Sequence, residues 1–126
     1  MATILVVDDA AFMRLMLKDM LERAGHMVVS EAANGLEAVD KYRAHRPDLV
    51  IMDLNMPELG GIEALEQIVR FDAKAKIIMC SALGHKHLIV SAVRRGAKDY
   101  VLKPFQSERV LGAISRVLNP SISLAE

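Results

Sequence analysis

Five polar residues suited to chemistry follow short apolar stretches of this 126-residue chain. They are Asp8, Asp9, Asp53, Ser81 and Lys103. Three carboxylates brought together repel one another, so they must share protons or hold a cation. Oxygen ligands without a cysteine or an adjacent histidine favour Mg²⁺, whose coordination is usually completed by a phosphate oxygen. These residue types predict phosphoryl chemistry, provided that the fold brings them together.

Each of these side chains has a part to play in such chemistry. Asp53 is the natural nucleophile, because a carboxylate can accept a phosphoryl group as an acyl phosphate. Lys103 can place its charge on one phosphate oxygen, and Ser81 can donate a hydrogen bond to another. Taken singly, these residues have ordinary structural explanations, such as helix capping by Asp8 or Asp9 and a solvated Lys103. Their shared position at strand ends is what favours a site.

The elements that must position these residues alternate regularly along the chain. Short β-branched runs at 4–7, 27–31, 49–52, 76–80 and 100–102 predict strands, and segments of helical period separate them. The first and third runs are apolar throughout, as buried parallel strands are, whereas the second and fifth resemble edges. Right-handed crossovers then predict an α/β fold, a doubly wound five-stranded parallel sheet with helices on both faces. Ligands bind such sheets at the carboxyl ends of the strands.

Apolar residues at helical spacing predict five amphipathic helices. The first carries a stripe from Met13 to Ala24 and ends at Gly25 as its C-cap. The second is expected to open at Asn34-Gly35 and to bury Leu36 and Val39. The others present the remaining apolar positions, namely Ile62, Leu65 and Val69 in the third, Leu88, Ile89, Ala92 and Val93 in the fourth, and Val110, Ile114, Val117 and Leu118 in the fifth. The methionines of the stripe, with Met52 and Met79, are interpreted as core.

Composition narrows the class of protein. The chain is 52% hydrophobic and 25% charged, which is typical of a globular domain. Sixteen basic residues balance sixteen acidic ones, so the overall charge suggests neither nucleic acid nor a membrane surface as a partner. The single cysteine, Cys80, is expected in the core. We predict one domain over residues 1–120, a frayed tail over residues 121–126 and, in the absence of a signal peptide, a cytoplasmic location.

The chain resembles the receiver domains of two-component response regulators over about residues 3–118. The resemblance is carried by Val6-Val7-Asp8-Asp9, Met52-Asp53-Leu54-Asn55-Met56-Pro57, Ser81-Ala82 and Lys103-Pro104-Phe105, in the family's order. It implies a flavodoxin-like sheet of order 2-1-3-4-5 and a cis peptide bond between Lys103 and Pro104. It also implies Mg²⁺ held by Asp9, Asp53 and the backbone carbonyl of Asn55, with Asp8 acting through water.

The resemblance further implies a signalling switch that catalyses its own phosphorylation and dephosphorylation on Asp53. The donor would be a phosphohistidine of a sensor histidine kinase. Ser81 would move toward the phosphoryl group and Tyr100 would swing inward, changing the surface of the fourth helix, fifth strand and fifth helix. A stand-alone monomer acting on a flagellar motor switch protein in chemotaxis is the expected role. A relay protein that passes phosphate to another histidine is the alternative.

The chain departs from the family at two positions, and two other functions compete with the receiver role. Where the family often has an acidic or amide residue before the glycine that opens the third helix, this chain has Gly60-Gly61, which is expected to loosen the loop. Leu83, two residues after Ser81, is apolar where many relatives are polar, so the phosphoryl lifetime does not carry over. A haloacid dehalogenase type phosphatase would need a second acid two residues after its nucleophile, where this chain has Asn55. A metal site made of His26, His45, His85 and His87 is disfavoured, because His85 and His87 are expected two apart on one helix.

Overall fold

The computed structural model describes residues 1–82 and 85–120, and within them five strands alternate with five helices. The strands are β1 (Thr3–Val7), β2 (Met27–Ala32), β3 (Leu49–Asp53), β4 (Ile77–Ser81) and β5 (Asp99–Leu102). The helices are α1 (Ala11–Arg23), α2 (Gly35–His45), α3 (Gly61–Phe71), α4 (Lys86–Arg94) and α5 (Ser107–Leu118). The predictions made for Leu83 and for the tail over residues 121–126 lie outside the described residues.

All strand pairs are parallel, and their order is β2-β1-β3-β4-β5. This confirms the predicted doubly wound sheet and the order implied by the resemblance. Every residue of β3 and β4 is buried, whereas β2 and β5 carry partly exposed residues, as expected of edge strands. The central strands therefore fix the residues that end them most firmly.

Two apolar layers cover the sheet, because successive strand residues point to opposite faces. One layer packs Leu5, Val50 and Ile77 against α2, α3 and α4. The other packs Ile4, Ile51, Ile78 and Cys80 against α1 and α5. Met52 and Met79 are fully buried, as the sequence predicted, and burial raises the pKa of the Cys80 thiol. No helix among the described residues combines the length and the apolar character that a membrane span requires.

The end of the α1 stripe differs from the prediction. Leu17 and Leu21 are fully buried and Met13 and Met20 pack at the margin, but Ala24 is exposed. Ala24, rather than Gly25, is the C-cap. Gly25 follows it with φ 90°, and its N–H donates to the Glu22 carbonyl at 3.0 Å. Gly25 therefore occupies the first position after the C-cap rather than the cap itself, and this is where the left-handed conformation falls.

Two residues predicted as inward-facing are exposed. Leu36 is 51% exposed, because the Asn34 side chain caps α2 by accepting from the Glu37 N–H and turns Gly35 rather than Leu36 toward the protein. Val93 is 49% exposed, because Ala92 is the one fully buried residue of α4 and the inward face of that helix is narrow. Both predictions were wrong by one position around the helix.

Candidate functional site

The three aspartates predicted to converge meet at the carboxyl edge of the sheet. Strands β1 and β3 are neighbours, with Val7 paired to Met52, so the residues after Val7 and at the end of β3 lie side by side. One carboxylate oxygen from each of Asp8, Asp9 and Asp53 lies within 4.8 Å of the others. Asp8 and Asp53 are buried, whereas Asp9 is exposed. This cluster of three aspartates, which we call the carboxylate rim, therefore has a closed side at Asp8 and Asp53 and an open side at Asp9.

Lys103, which directly follows β5, reaches the closed side of this cluster. Its Nζ lies 2.9 Å from Asp8 Oδ2 and 3.4 Å from Asp53 Oδ1. The backbone N–H of Lys103 donates to the Ser81 carbonyl at 2.9 Å, which ties the end of β5 to the end of β4. The peptide bond between Lys103 and Pro104 is cis, as the resemblance implied.

Asp8 and Asp9 have different surroundings although they are neighbours in sequence. Asp8 Oδ1 accepts from the Ala10 N–H at 2.9 Å and its Oδ2 accepts from Lys103, so both oxygens have protein donors. Ala10 is the N-cap of α1 and makes no side-chain cap, so neither aspartate caps the helix through its N-cap position. Asp9 faces solvent and keeps its carboxylate open to a ligand.

Burial and neighbouring charges shift the pKa values of Asp53 and Lys103. Burial raises the pKa of Asp53; the Lys103 charge opposes this, the Asp8 charge adds to it, and the net pKa lies above its ordinary value. Burial alone would lower the pKa of Lys103, but its hydrogen bond to Asp8 and the charges of Asp53 and Asp8 outweigh burial and raise it. Lys103 therefore stays a cation, and it lies beside Asp53, whose raised pKa shows that burial disfavours its ionised form.

Ser81 and Tyr100 lie on the neighbouring, paired strands β4 and β5. Ser81 is the last residue of β4; it is buried, and its Oγ donates to the carbonyl of Ala82 at 3.0 Å. Tyr100 lies on edge strand β5, paired with Met79, and is 43% exposed. The Ser81 hydroxyl, which is expected to move, is thus buried, and the Tyr100 ring, which is expected to swing inward, lies partly on the surface.

Two contacts near the site, made by Arg14 and His85, were not predicted from the sequence. Arg14, in the first turns of α1, donates to the Asp8 carbonyl at 2.6 Å and pairs with Glu31 at 3.1 Å. His85 precedes α4 as its N-cap rather than lying on the helix, and its Nδ1 is 3.3 Å from Asn55 Nδ2. A cation six residues after Asp8 is a signal that could have been used for Arg14. No local pattern marks His85.

The two glycines before α3 are not equivalent. A Cβ on Gly61 would collide with the backbone carbonyl of Asp53 and would lie 2.8 Å from Leu54 Cα. A Cβ on Gly60 would instead meet the end of the flexible Glu63 side chain. Gly61 therefore allows the close packing of α3 against the Asp53 loop, whereas the role of Gly60 in loosening that loop stays a prediction.

Residues 4–115 match the response regulator receiver domain. The chain belongs to this family. The receiver domain is 57% identical to the chemotaxis protein CheY of Bacillus subtilis over 116 residues, which cover 92% of this chain and 97% of that protein. It is 52% identical to the chemotaxis protein CheY of Thermotoga maritima over 114 residues, covering 90% of this chain and 95% of that protein.

Solved structures are similar to the receiver domain over nearly its full length. The CheX–CheY–BeF₃–Mg²⁺ complex of Borrelia burgdorferi contains a chain with a TM-score of 0.88 and 37% identity, covering 91% of this chain and 87% of that one. The response regulator domain of Thermotoga maritima CheB has a TM-score of 0.85 and 39% identity, covering 93% and 96%. The family and the fold are therefore established by sequence and by structure alike.

Proposed function

We propose that this receiver domain, over residues 1–120, is a chemotaxis switch that accepts a phosphoryl group on Asp53. The observation that carries the proposal is the pairing of Lys103 with Asp53 and Asp8, beside the open carboxylate of Asp9. The similarity to chemotaxis proteins over nearly their full length favours this role over a phosphorelay. Asn55 cannot act as the second acid of a haloacid dehalogenase type phosphatase, so that alternative has no support.

The donor set suits a magnesium ion. Asp9, Asp53 and the backbone carbonyl of Asn55 would hold it directly, and Asp8, whose oxygens already accept protein hydrogen bonds, would act through water. All of these ligands are hard oxygens, which Mg²⁺ prefers. The bound ion would neutralise charge on the incoming phosphoryl group, which otherwise meets three carboxylates.

Asp53, Lys103 and Ser81 would then have separate tasks in the transfer. An Asp53 carboxylate oxygen attacks phosphorus, the bond from phosphorus to the donor breaks, and the acyl phosphate forms on Asp53. Lys103 pairs with a phosphoryl oxygen, and the Ser81 hydroxyl turns from Ala82 to donate to another. A cleft of about 550 Å³ bordered by Asp9, Asn55 and Glu63 gives the donor room beside the open side of the cluster. Water attack on the same phosphorus reverses the modification.

The partners proposed for this switch rest on its similarity to chemotaxis proteins. A sensor histidine kinase of a chemotaxis pathway would supply the phosphoryl group, and a flagellar motor switch protein would bind the phosphorylated form. The CheX–CheY complex of Borrelia burgdorferi is a precedent for partner binding by a similar chain. We place the activity of this monomeric switch in the cytoplasm, where both partners would meet it.

The central test is metal-dependent labelling. Acetyl phosphate is expected to label the protein in millimolar Mg²⁺ or Mn²⁺ and to leave it unlabelled in excess chelator, because the buried carboxylates repel a dianionic donor. Radiolabel retained on the protein, measured after rapid gel filtration, reports the result. Equal labelling with and without chelator would contradict the proposal.

The solvent face of α1 is the surface that a kinase domain would touch. Phe12 and Leu15 are 68% and 64% exposed, are one helical turn apart and begin just after Asp9. Phe12→Ala is expected to slow transfer from a phosphorylated histidine kinase about tenfold, because an exposed aromatic anchor is lost. Labelling by acetyl phosphate should be unchanged.

Met27→Ala provides the matched control for Phe12→Ala. Met27 is 50% exposed but begins β2, at the far end of the sheet from Asp53. The Met27→Ala variant should not alter the rate of transfer from the kinase, measured by autoradiography of gel samples quenched at successive times. An equal loss in both variants, or a loss that extends to acetyl phosphate, would remove α1 as the donor surface.

A further inference from the structure

A cavity of about 580 Å³ lies at the amino ends of β4 and β5, at the opposite end of the parallel strands from Asp53. We call it the basal pocket and define it by its lining, which is Lys74, Lys76, Lys98, Asp99, Arg116, Val117 and Pro120. Lys76 precedes β4 and Lys98 precedes β5, and the Lys98 N–H donates to the Ile77 carbonyl at 2.8 Å. The two strand starts therefore bring cations together from residues distant in sequence.

The charge of the basal pocket is strongly one-sided. Four of its side chains are cationic and one is a carboxylate, in a protein whose formal net charge is zero. That carboxylate, Asp99, is already paired with Arg116 at 3.3 Å. Within the described part of the chain, no carboxylate lies within 4.0 Å of the ammonium groups of Lys74, Lys76 or Lys98. Among the described residues, three cations of the lining therefore have no ion-pair partner.

The acidic residue closest to Lys74 in the sequence, Asp72, is occupied elsewhere. Asp72 accepts from the Tyr42 hydroxyl at 2.8 Å and pairs with Arg46 at 3.6 Å. Its other oxygen accepts from the backbone N–H of Lys74 at 3.0 Å. The carboxyl end of α5 also borders the pocket and contributes partial negative charge, but the Ser115 carbonyl already accepts from the Asn119 N–H at 2.9 Å. The described lining of the pocket therefore carries an excess of positive charge.

The lining also offers apolar surface. Val117 belongs to the layer packed between α5 and the sheet, Pro120 follows α5, and the aliphatic stems of the lysines add further apolar area. The volume falls in the range of small-molecule sites, about 300–1,000 Å³. A ligand that matches this pocket needs two or more negative charges and one flat or apolar group.

We propose that the basal pocket binds an organic polyphosphate of nucleotide size. Its phosphates lie among Lys74, Lys76 and Lys98, and its ring covers Val117 and Pro120. This activity is separate from phosphorylation of Asp53, because the pocket and the carboxylate rim lie at opposite ends of the parallel strands. The failure of either proposal leaves the other intact.

The test follows amide chemical shifts of the full chain while adenosine diphosphate is added in excess chelator, which keeps metal-bridged binding at the carboxylate rim out of the experiment. Shifts are expected around residues 74–76, 98–99 and 116–117, and they should weaken as salt rises. Inorganic pyrophosphate should bind more weakly, because it lacks the apolar group. Shifts centred on Asp8 and Asp53, no shifts at millimolar nucleotide, or equal binding of pyrophosphate would each overturn the proposal.

Charge-reversing variants locate the site. Lys76→Glu and Lys98→Glu are expected to weaken nucleotide binding about tenfold each, the size of a lost charge-assisted contact. Lys41→Glu makes the same change in net charge on α2 and should bind normally. Lys98→Gln, which removes the charge without reversing it, gives an intermediate loss if Lys98→Glu folds poorly. Equal affinity in the pocket variants and in Lys41→Glu would refute the assignment.

Discussion

Asp53→Asn is expected to abolish labelling by acetyl phosphate and, in chelator, to raise the thermal unfolding midpoint. The label is lost because the amide has no carboxylate oxygen to attack phosphorus. Stability rises because burial and the Asp8 charge both disfavour the ionised form of Asp53, as its raised pKa indicates. At neutral pH the carboxylate is therefore a destabilising charge, and each 1 kcal/mol recovered would appear as roughly 3–6 °C in a domain of this size.

The same experiment in millimolar Mg²⁺ supplies the control. The ion binds the folded protein and is expected to stabilise the parent more than Asp53→Asn, because the variant has lost a ligand. Asp9→Asn should behave in the same direction, although its exposed carboxylate makes the gain in chelator smaller. A parent whose midpoint does not respond to Mg²⁺, or a labelled Asp53→Asn, would contradict the site as proposed.

The fold could be predicted from sequence because its signals are local and repeated. Apolar runs bounded by polar residues specify β1, β3 and β4, and the carboxyl ends of parallel strands share one edge. The proximity of Asp8, Asp53 and Lys103 could therefore be predicted from the strand order alone, without knowledge of any single contact. The strand bounds shifted by a residue, so that Asp53 and Ser81 close β3 and β4 rather than follow them.

The misplaced residues depend on how each helix is rotated. Leu36 and Val93 are apolar and lie next to inward positions, but a helical stripe does not say which of two adjacent apolar residues faces the sheet. The Asn34 cap decides the first case and the narrow inward face of α4 the second. The contact of His85 with Asn55 joins two loops, and the path of a loop follows from tertiary packing rather than from a sequence period.

Lys103→Ala is expected to accept a phosphoryl group on Asp53 in Mg²⁺ and to lose most of the response of a binding partner. The nucleophile and the proposed metal ligands stay in place, so transfer remains possible. Lys103 Nζ lies 3.4 Å from Asp53 Oδ1, and the Lys103 backbone N–H donates to the Ser81 carbonyl at 2.9 Å, so Lys103 links the proposed phosphorylation site to the ends of β4 and β5. Without the Lys103 ammonium group, the phosphoryl oxygens lose the contact through which they would shift the end of β5.

The output is proposed to be read on the surface that carries Tyr100 and the exposed side of α4, because Ser81 ends β4 and Lys103 directly follows β5, the strands before and after this helix. A ligand shifts such an equilibrium only by its unequal contacts with two arrangements. We propose that the half-exposed Tyr100 ring and the Ser81 hydroxyl form the element with two arrangements. Tyr100→Ala is therefore expected to weaken partner binding by the activated form about tenfold, within the usual 5- to 150-fold range of coupling.

Titration of a motor switch protein with beryllofluoride-activated and resting samples measures both effects. Phe71→Ala is the control for Tyr100→Ala, since Phe71 is 41% exposed but ends α3, away from β5. Lys41→Ala is the control for Lys103→Ala, because it removes a lysine from α2. The mechanism requires that activation strengthen binding in the parent and in both controls but much less in Lys103→Ala and Tyr100→Ala. Equal affinities of activated and resting parent, or equal gains in all five proteins, would show that the phosphoryl group does not act through this surface.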